Sequence, residues 1–251
     1  NEASMDKLAL VCSFLLLSAA FVNSGHNDNL WEAAKGGNLD DLNKALDDGA
    51  DPNWREDNLG TAALHVASLF DHPNVVKPLL DAGADINQQD DSGRTPVYLA
   101  SSKGSIHMTS ELIEHGADVN IMTNYGSTPL LIATQGGHID IVEALIKAQA
   151  DVNLPDNQLG ITALHLAAMI NNTEIAQLLL RNGAEPKKLD NDGKTPGDYA
   201  RNKENYSLAK IIDNFTAFAY TYTVTTILIT IILTQLAHIH VLLIVRRISK
   251  N

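Results

Sequence analysis

Apolar positions between residues 26 and 214 fall in paired short runs, parted by clusters of Gly, Asp and Asn. Residues 126–153, GSTPLLIATQGGHIDIVEALIKAQADVN, show one such pair. Thr128-Pro129 opens the first run, because threonine caps a helix and proline suits its first position, where no N–H is needed. That run is predicted to stop at Gly136-Gly137, as the corresponding run of the preceding unit stops at Gly104. In the second run Ile139, Ile141, Val142, Leu145 and Ile146 have the spacing of one buried helical face. The Ala-Asp-x-Asn segment that closes it predicts a tight turn. The pattern therefore reads helix, turn, helix, hairpin-like finger.

The pattern repeats. The opener recurs at Ala62-Ala63, Thr95-Pro96, Thr128-Pro129, Thr162-Ala163 and Thr195-Pro196, in steps of 33, 33, 34 and 33 residues. The closer keeps step as Gly49-Ala50-Asp51, Gly83-Ala84-Asp85, Gly116-Ala117-Asp118, Gln149-Ala150-Asp151 and Gly183-Ala184-Glu185. Glycine there predicts a left-handed residue ending each second helix. A period of this size implies a solenoid whose units cannot bury their apolar faces alone.

Period, openers, closers and the Leu-His pairs Leu64-His65 and Leu164-His165 together resemble the ankyrin repeat, whose motif is T-P-L-H-x-A. The resemblance covers residues 27–214. It implies an all-α ankyrin-repeat solenoid, whose histidines bond to backbone and to the opener threonine and so stitch units together. Tyr98, Leu131 and Asp198 depart from the motif histidine, and Gln149 from the closing glycine; each is expected to weaken its unit modestly.

Residues 26–51 give a degenerate first unit with Leu30, Ala33 and Ala34 on one helix and Leu39, Leu42, Ala45 and Leu46 on the next. Four clear units follow at 52–85, 86–118, 119–151 and 152–185. The sixth, from 191, ends with Leu208, Ile211 and Ile212 facing inward. The fingers Glu56-Asp57-Asn58-Leu59-Gly60 and Asp156-Asn157-Gln158-Leu159-Gly160 each carry one extra residue and should protrude differently.

Composition places this array in a setting. Residues 8–20 are apolar after Lys7 and precede the small-residue site Val22-Asn23-Ser24, which reads as a leader and signal peptide over 1–24. The array occupies 25–214. Residues 215–245 hold no Asp, Glu, Lys or Arg and are long enough for one C-terminal transmembrane helix, with a short basic cytosolic tail at 246–251. This predicts a single-pass membrane protein of the secretory pathway with its repeats lumenal or extracellular. A soluble cytosolic adaptor and a secreted, toxin-like effector are the alternatives. Two sequons, at Asn171 and Asn205, are glycosylation candidates if that topology holds.

The net charge of −12 argues against nucleic acid. It is uneven: residues 26–156 carry 21 acids and 7 bases, net −14, while 157–214 carry 7 of each. Catalysis finds no constellation of nucleophile, base and orienter. Gly193-Lys194-Thr195 lacks the glycine a phosphate loop needs at Lys188, and Asp190-Asn191-Asp192-Gly193 lacks the first acid of a calcium loop. No cofactor, metal or small-molecule substrate is expected. The expected ligand is a protein partner with a basic surface, met by finger tips and first-helix ends. In a stack these line one concave side, and packing does not obviously require the apolar residues there. The candidate contacts are Trp54, Arg55, Leu69, Phe70, Gln89, Asp91, Met122, Tyr125, Met169 and Ile170. The competing reading tucks Phe70 and Ile170 between units as core.

Overall fold

The computed structural model describes residues 25–215, and among these every regular element is helical. Helix α1 covers residues 25–36 and α2 Leu39–Asp47. The pairs α3 (Ala63–Phe70) with α4 (Val76–Asp81), α5 (Pro96–Lys103) with α6 (Ile106–Glu114), and α7 (Pro129–Gly136) with α8 (Ile139–Lys147) come next. Then follow α9 (Ala163–Met169) with α10 (Thr173–Arg181), and α11 (Pro196–Asn202) with α12 (residues 206–215).

The openers cap as their chemistry requires. The hydroxyls of Thr95, Thr128 and Thr195 accept the amides of Tyr98, Leu131 and Asp198 at 3.2–3.3 Å, with proline at the first helical position each time. One second helix deviates: a 3-10 turn, Pro73–Val75, leads into α4, which carries Pro78. Pro73 opens that turn at the position where no N–H is needed, whereas Pro78 removes a donor from the ladder.

First helices stack on first helices, α3 on α5, α5 on α7, α7 on α9 and α9 on α11, and second helices form a parallel layer. Leu79, Leu112, Leu145, Leu179 and Ile212 recur at the repeat period on the second layer and are fully buried. Each is covered by neighbouring units, so the core is a ribbon rather than a centre.

The end units follow the expected pattern with one change. Leu30, Ala34, Leu42 and Ala45 are buried in the first unit and Leu208 and Ile212 in the last, but Leu39 stands 38% exposed at the first position of α2. At the rear, Lys187 reaches Asp213 at 2.8 Å and Arg201 bonds both Asp213 and Asp198. The two pairs to Asp213 fasten α12 to α11 and to the finger before it.

No helix among the described residues is long and apolar enough to cross a membrane. The expected leader at 1–24 and tail at 246–251 lie outside the described residues, as does all of the expected span at 215–245 except Phe215.

Gly116 has φ +87° and a Cβ there would meet nothing within 4 Å, so only the left-handed backbone opposes a side chain. Gln149 holds the same place in its unit at φ +67°. Gly116→Val should therefore cost about 1–3 kcal/mol. Gln149→Gly should stabilise by roughly 0.5–1 kcal/mol, the relieved left-handed strain being partly offset by glycine's extra backbone entropy. Thermal melts of the two variants check both signs.

Candidate protein-binding face

The fingers are built from side chains that turn the backbone and then tie it to the next unit. Asp51, Asp85, Asp118 and Asp151 each accept the amide two residues on, from Asn53, Asn87, Asn120 and Asn153, at 2.8–2.9 Å. Each asparagine then accepts the amide of the acid at the base of the next finger, Asp85, Asp118, Asp151 and Glu185, at 2.7–2.9 Å. Three of them also donate to the closing residue's carbonyl, at Gly83, Gln149 and Gly183. An asparagine ladder thus runs along the finger bases.

The tips are tied separately. The amides of Asp91, Asn124 and Asn191 donate to Leu59, Ser92 and Leu159 carbonyls on the preceding finger, at 2.9–3.1 Å. His65 and His165 accept the amides of Ala62 and Thr162 at Nδ1, and through Nε2–H they donate to the Arg94 and Lys194 carbonyls of the next finger. The Thr162 hydroxyl adds a bond of 2.8 Å to the same Nδ1. Where the motif histidine is missing, Tyr98 sends its hydroxyl towards Ser127 on the next finger at 3.5 Å. Asp198 closes a capping box on Thr195, and Leu131 is simply buried.

The two extended fingers use their leading acids as internal templates. Glu56 accepts the amides of Asn58 at 2.8 Å and Leu59 at 2.5 Å; Asp156 accepts those of Leu159 at 3.0 Å and Ile161 at 2.9 Å. The Gly193-Lys194-Thr195 segment is a finger turn running into a helix cap, with Asp190 accepting the amides of Asp192 and Lys194. Among the described residues no His, Cys, Asp and Glu group is arranged to hold a metal ion.

Two hollows open on the finger side. The first, about 280 Å³, is lined by Trp31, Leu59, Leu69, Phe70 and Leu99 with Glu56 and Arg94. The second, about 490 Å³, is lined by Tyr98, Tyr125, Leu131, Leu159, Leu166 and Met169 with Arg94, Asp156 and Gln158. Leu69, Phe70, Tyr125 and Met169 thus come together in two places. Phe70 is 48% exposed and Ile170 38%, so neither is tucked away as core.

The other candidates lie elsewhere. Arg55 is held by the Gly60 carbonyl and by Asp91, and Gln89 donates to the Gly93 and Met122 carbonyls. These three side chains join finger to finger. Trp54 and Met122 are half-buried, and neither they nor Ile170 line a hollow. Asn171 is exposed, whereas Asn205 caps α12 by accepting the Leu208 amide and donates to the Asn171 side chain.

Leu59 and Leu159, each 55% exposed, were missed as candidates. The signal was present: both stand before the finger glycine, in the slot that Tyr125 occupies in its own unit.

Burial holds the pKa of His65 and His165 below the ordinary imidazole value, so both stay neutral in the stack. At the rear, burial tends to raise the Asp190 carboxyl, but bonds from Tyr199 and the Lys194 and Asp192 amides outweigh it and hold it low. The Tyr199 phenol, donating to Asp190 at 2.6 Å, is pushed up to about 12. Asp198 lies far below the carboxylate range, through its bonds from Arg201 and Thr195.

Models of ankyrin repeats match residues 2–90 and 64–156, with a further match over 136–180. The first begins within the stretch expected to be a leader. The chain is 39% identical over 59 residues to an ankyrin repeat-containing protein of Schizosaccharomyces pombe, covering 24% of this chain and 28% of that one. It is 34% identical over 87 residues to a mitochondrial disaggregase of Bos taurus, covering 35% of this chain and 13% of that one. The chain thus spans less than a third of either relative's length.

The buried histidines set a pH dependence. Above about pH 6.5 the imidazoles are neutral in folded and unfolded chains alike; below it the unfolded chain takes up protons that the folded one refuses. Stability is therefore lost as pH falls from 6.5, by at most about 1.4 kcal/mol per pH unit for each histidine. Below about pH 4 the lowered Asp190, Asp198 and Asp213 add to the loss. Melts from pH 8 to 5 should show a fall that the His65→Gln/His165→Gln double variant flattens while lowering stability at pH 8.

Proposed function

The chain belongs to the ankyrin repeat family, and on that premise we propose that it holds a partner protein against its finger side and performs no catalysis. One observation carries this reading: Phe70, Tyr125, Leu59 and Leu159 are large apolar side chains left exposed together at two hollows on a face that the fold does not need to cover. Scattered apolar residues need no explanation, but several gathered in concave places mark a binding patch. Aromatic anchors there fit the usual energetic centre of an interface.

The acidic front adds charge. The bases at the two hollows are engaged by carboxylates, Arg94 by Asp90 and Lys35 by Glu32, while Asp57 has no ion pair among the described residues. A basic partner surface would be steered towards this end and associate faster at low salt.

In the fuller form of the proposal the array is displayed outside the cytosol, delivered by the stretch at 1–24 and held by the uncharged segment 215–245. What supports this is composition alone. Protease added to sealed microsomes should leave the repeats intact; digestion would instead place the array in the cytosol, as a soluble or tail-anchored adaptor. Asn171 is the better-exposed glycan acceptor, so glycosidase should shift the mobility of the wild type and not of Asn171→Gln.

Pull-downs from cells expressing the chain test the binding face. Phe70→Ala and Tyr125→Ala should each lose the partner with unchanged melting temperature, and Trp54→Ala, half-buried and outside both hollows, should lose less. Loss of stability in place of binding, or binding indifferent to Phe70 and Tyr125, would refute the face.

A further inference from the structure

Resting on the reading of the finger side as a docking face, we propose that the partner presents a single linear segment gripped at two points, its apolar anchors received at Leu59 and Leu159. These leucines occupy the same slot in the two extended fingers, Glu56-Asp57-Asn58-Leu59-Gly60 and Asp156-Asn157-Gln158-Leu159-Gly160. In each finger the leading carboxylate accepts the leucine's own amide, and the leucine's carbonyl accepts the amide of the following finger. The backbone is fixed on both sides. Yet each leucine side chain is 55% exposed, so the stack gains little from having it there.

Along the row of fingers the residue before the finger glycine reads Leu59, Ser92, Tyr125, Leu159 and Asp192. Two apolar stations are thus separated by a short polar one and ended by an acid. The first station continues into Phe70 and Leu69, and the second into Tyr125 and Met169. Leu59 and Leu159 are three unit steps apart, and at 8–10 Å per packed helix that is about 24–30 Å. A helix of about 16–20 residues covers the distance at about 1.5 Å per residue, and an extended strand needs about 7–9.

Charge selects the chemistry of the occupant. Asp57 stands beside the first station with no ion pair among the described residues, and Lys35 and Arg94 at the hollow and Arg55 in the finger are already bound to Glu32, Asp90 and Asp91. With a net −14 over residues 26–156, the end of the segment that meets Leu59 is basic. Closing both ends at once gives avidity, because the second contact becomes intramolecular once the first has formed.

Random linear 24-residue peptides displayed on phage, selected against the full chain, supply the probe. Enriched peptides are expected to carry two apolar clusters, one flanked by Lys or Arg, at the helical or extended spacing above. Leu59→Ser and Leu159→Ser should each weaken a synthesised winner at least about tenfold. Each half-peptide should be weak and sensitive to only one of the two leucines. Tyr206→Ser, on the exposed side of α12, should change nothing, and all three variants should melt like the wild type. Winners with one cluster, sensitive to one leucine only, overturn the two-point grip and leave the docking face standing. Failure to enrich any peptide overturns the linear grip and leaves the docking face to the pull-downs, whereas winners indifferent to Leu59, Phe70, Tyr125 and Leu159 alike overturn both.

Discussion

Each unit of this chain makes sense only beside another, and that constraint shapes everything else in it. A pair of helices such as α5 and α6, eight and nine residues long, is far too short to be stable alone. Leu79, Leu112, Leu145 and Leu179 therefore find full burial only because the next pair covers them. Polar groups are joined along the same row: the amides of Asp85, Asp118, Asp151 and Glu185 find acceptors in asparagines of the preceding finger. Stability becomes a sum of neighbour terms, and the sequence departs furthest from the pattern at the first and last described units. At the rear, Lys187 stands where the earlier units carry the ladder asparagine, and it pairs with Asp213 on the last helix instead.

The same bonding makes the fingers useful. Loops that carry recognition normally lose entropy on binding, and a face held in place beforehand avoids part of that cost. Here the tips at Asp91, Asn124 and Asn191 are tied to the tips before them through backbone, and the leading carboxylates of the extended fingers brace those two from inside. Binding residues can then be exchanged without disturbing the fold, since the stack depends on backbone, asparagines and inward leucines rather than on the residue before each finger glycine. This explains how Leu59, Ser92, Tyr125, Leu159 and Asp192 differ while the glycine after each keeps its positive φ.

The period, the helix starts and the helix ends were legible in the sequence because caps and left-handed turns are decided by local chemistry, within four residues or so. Even Gln149 in place of glycine left its φ unchanged in sign. Side-chain destinations were less legible, for they depend on a unit about 33 residues away. Arg55 and Asp91 suggested binding residues, yet they meet each other across two fingers. Gln89 likewise serves the Met122 carbonyl. Leu39 suggested core and stands at an exposed helix start, whereas Leu59 and Leu159 were hidden in fingers noted only for their length. Of the ten candidate contacts, Leu69, Phe70, Tyr125 and Met169 gather at the hollows, because first-helix ends and finger tips share one side of every unit.

That the recognition face is set in advance by unit-to-unit bonds is most directly tested by amide hydrogen exchange in the free protein. The amides of Asp91, Asn124 and Asn191 sit at the finger tips, where an untied loop would exchange at the rate of an unstructured chain. Bonded to the preceding finger, they should be protected to a degree approaching that of the helix amides of Leu112 and Leu145. Unprotected exchange at all three, beside well-protected helices, would contradict the account and make the fingers loops that order only when a partner arrives.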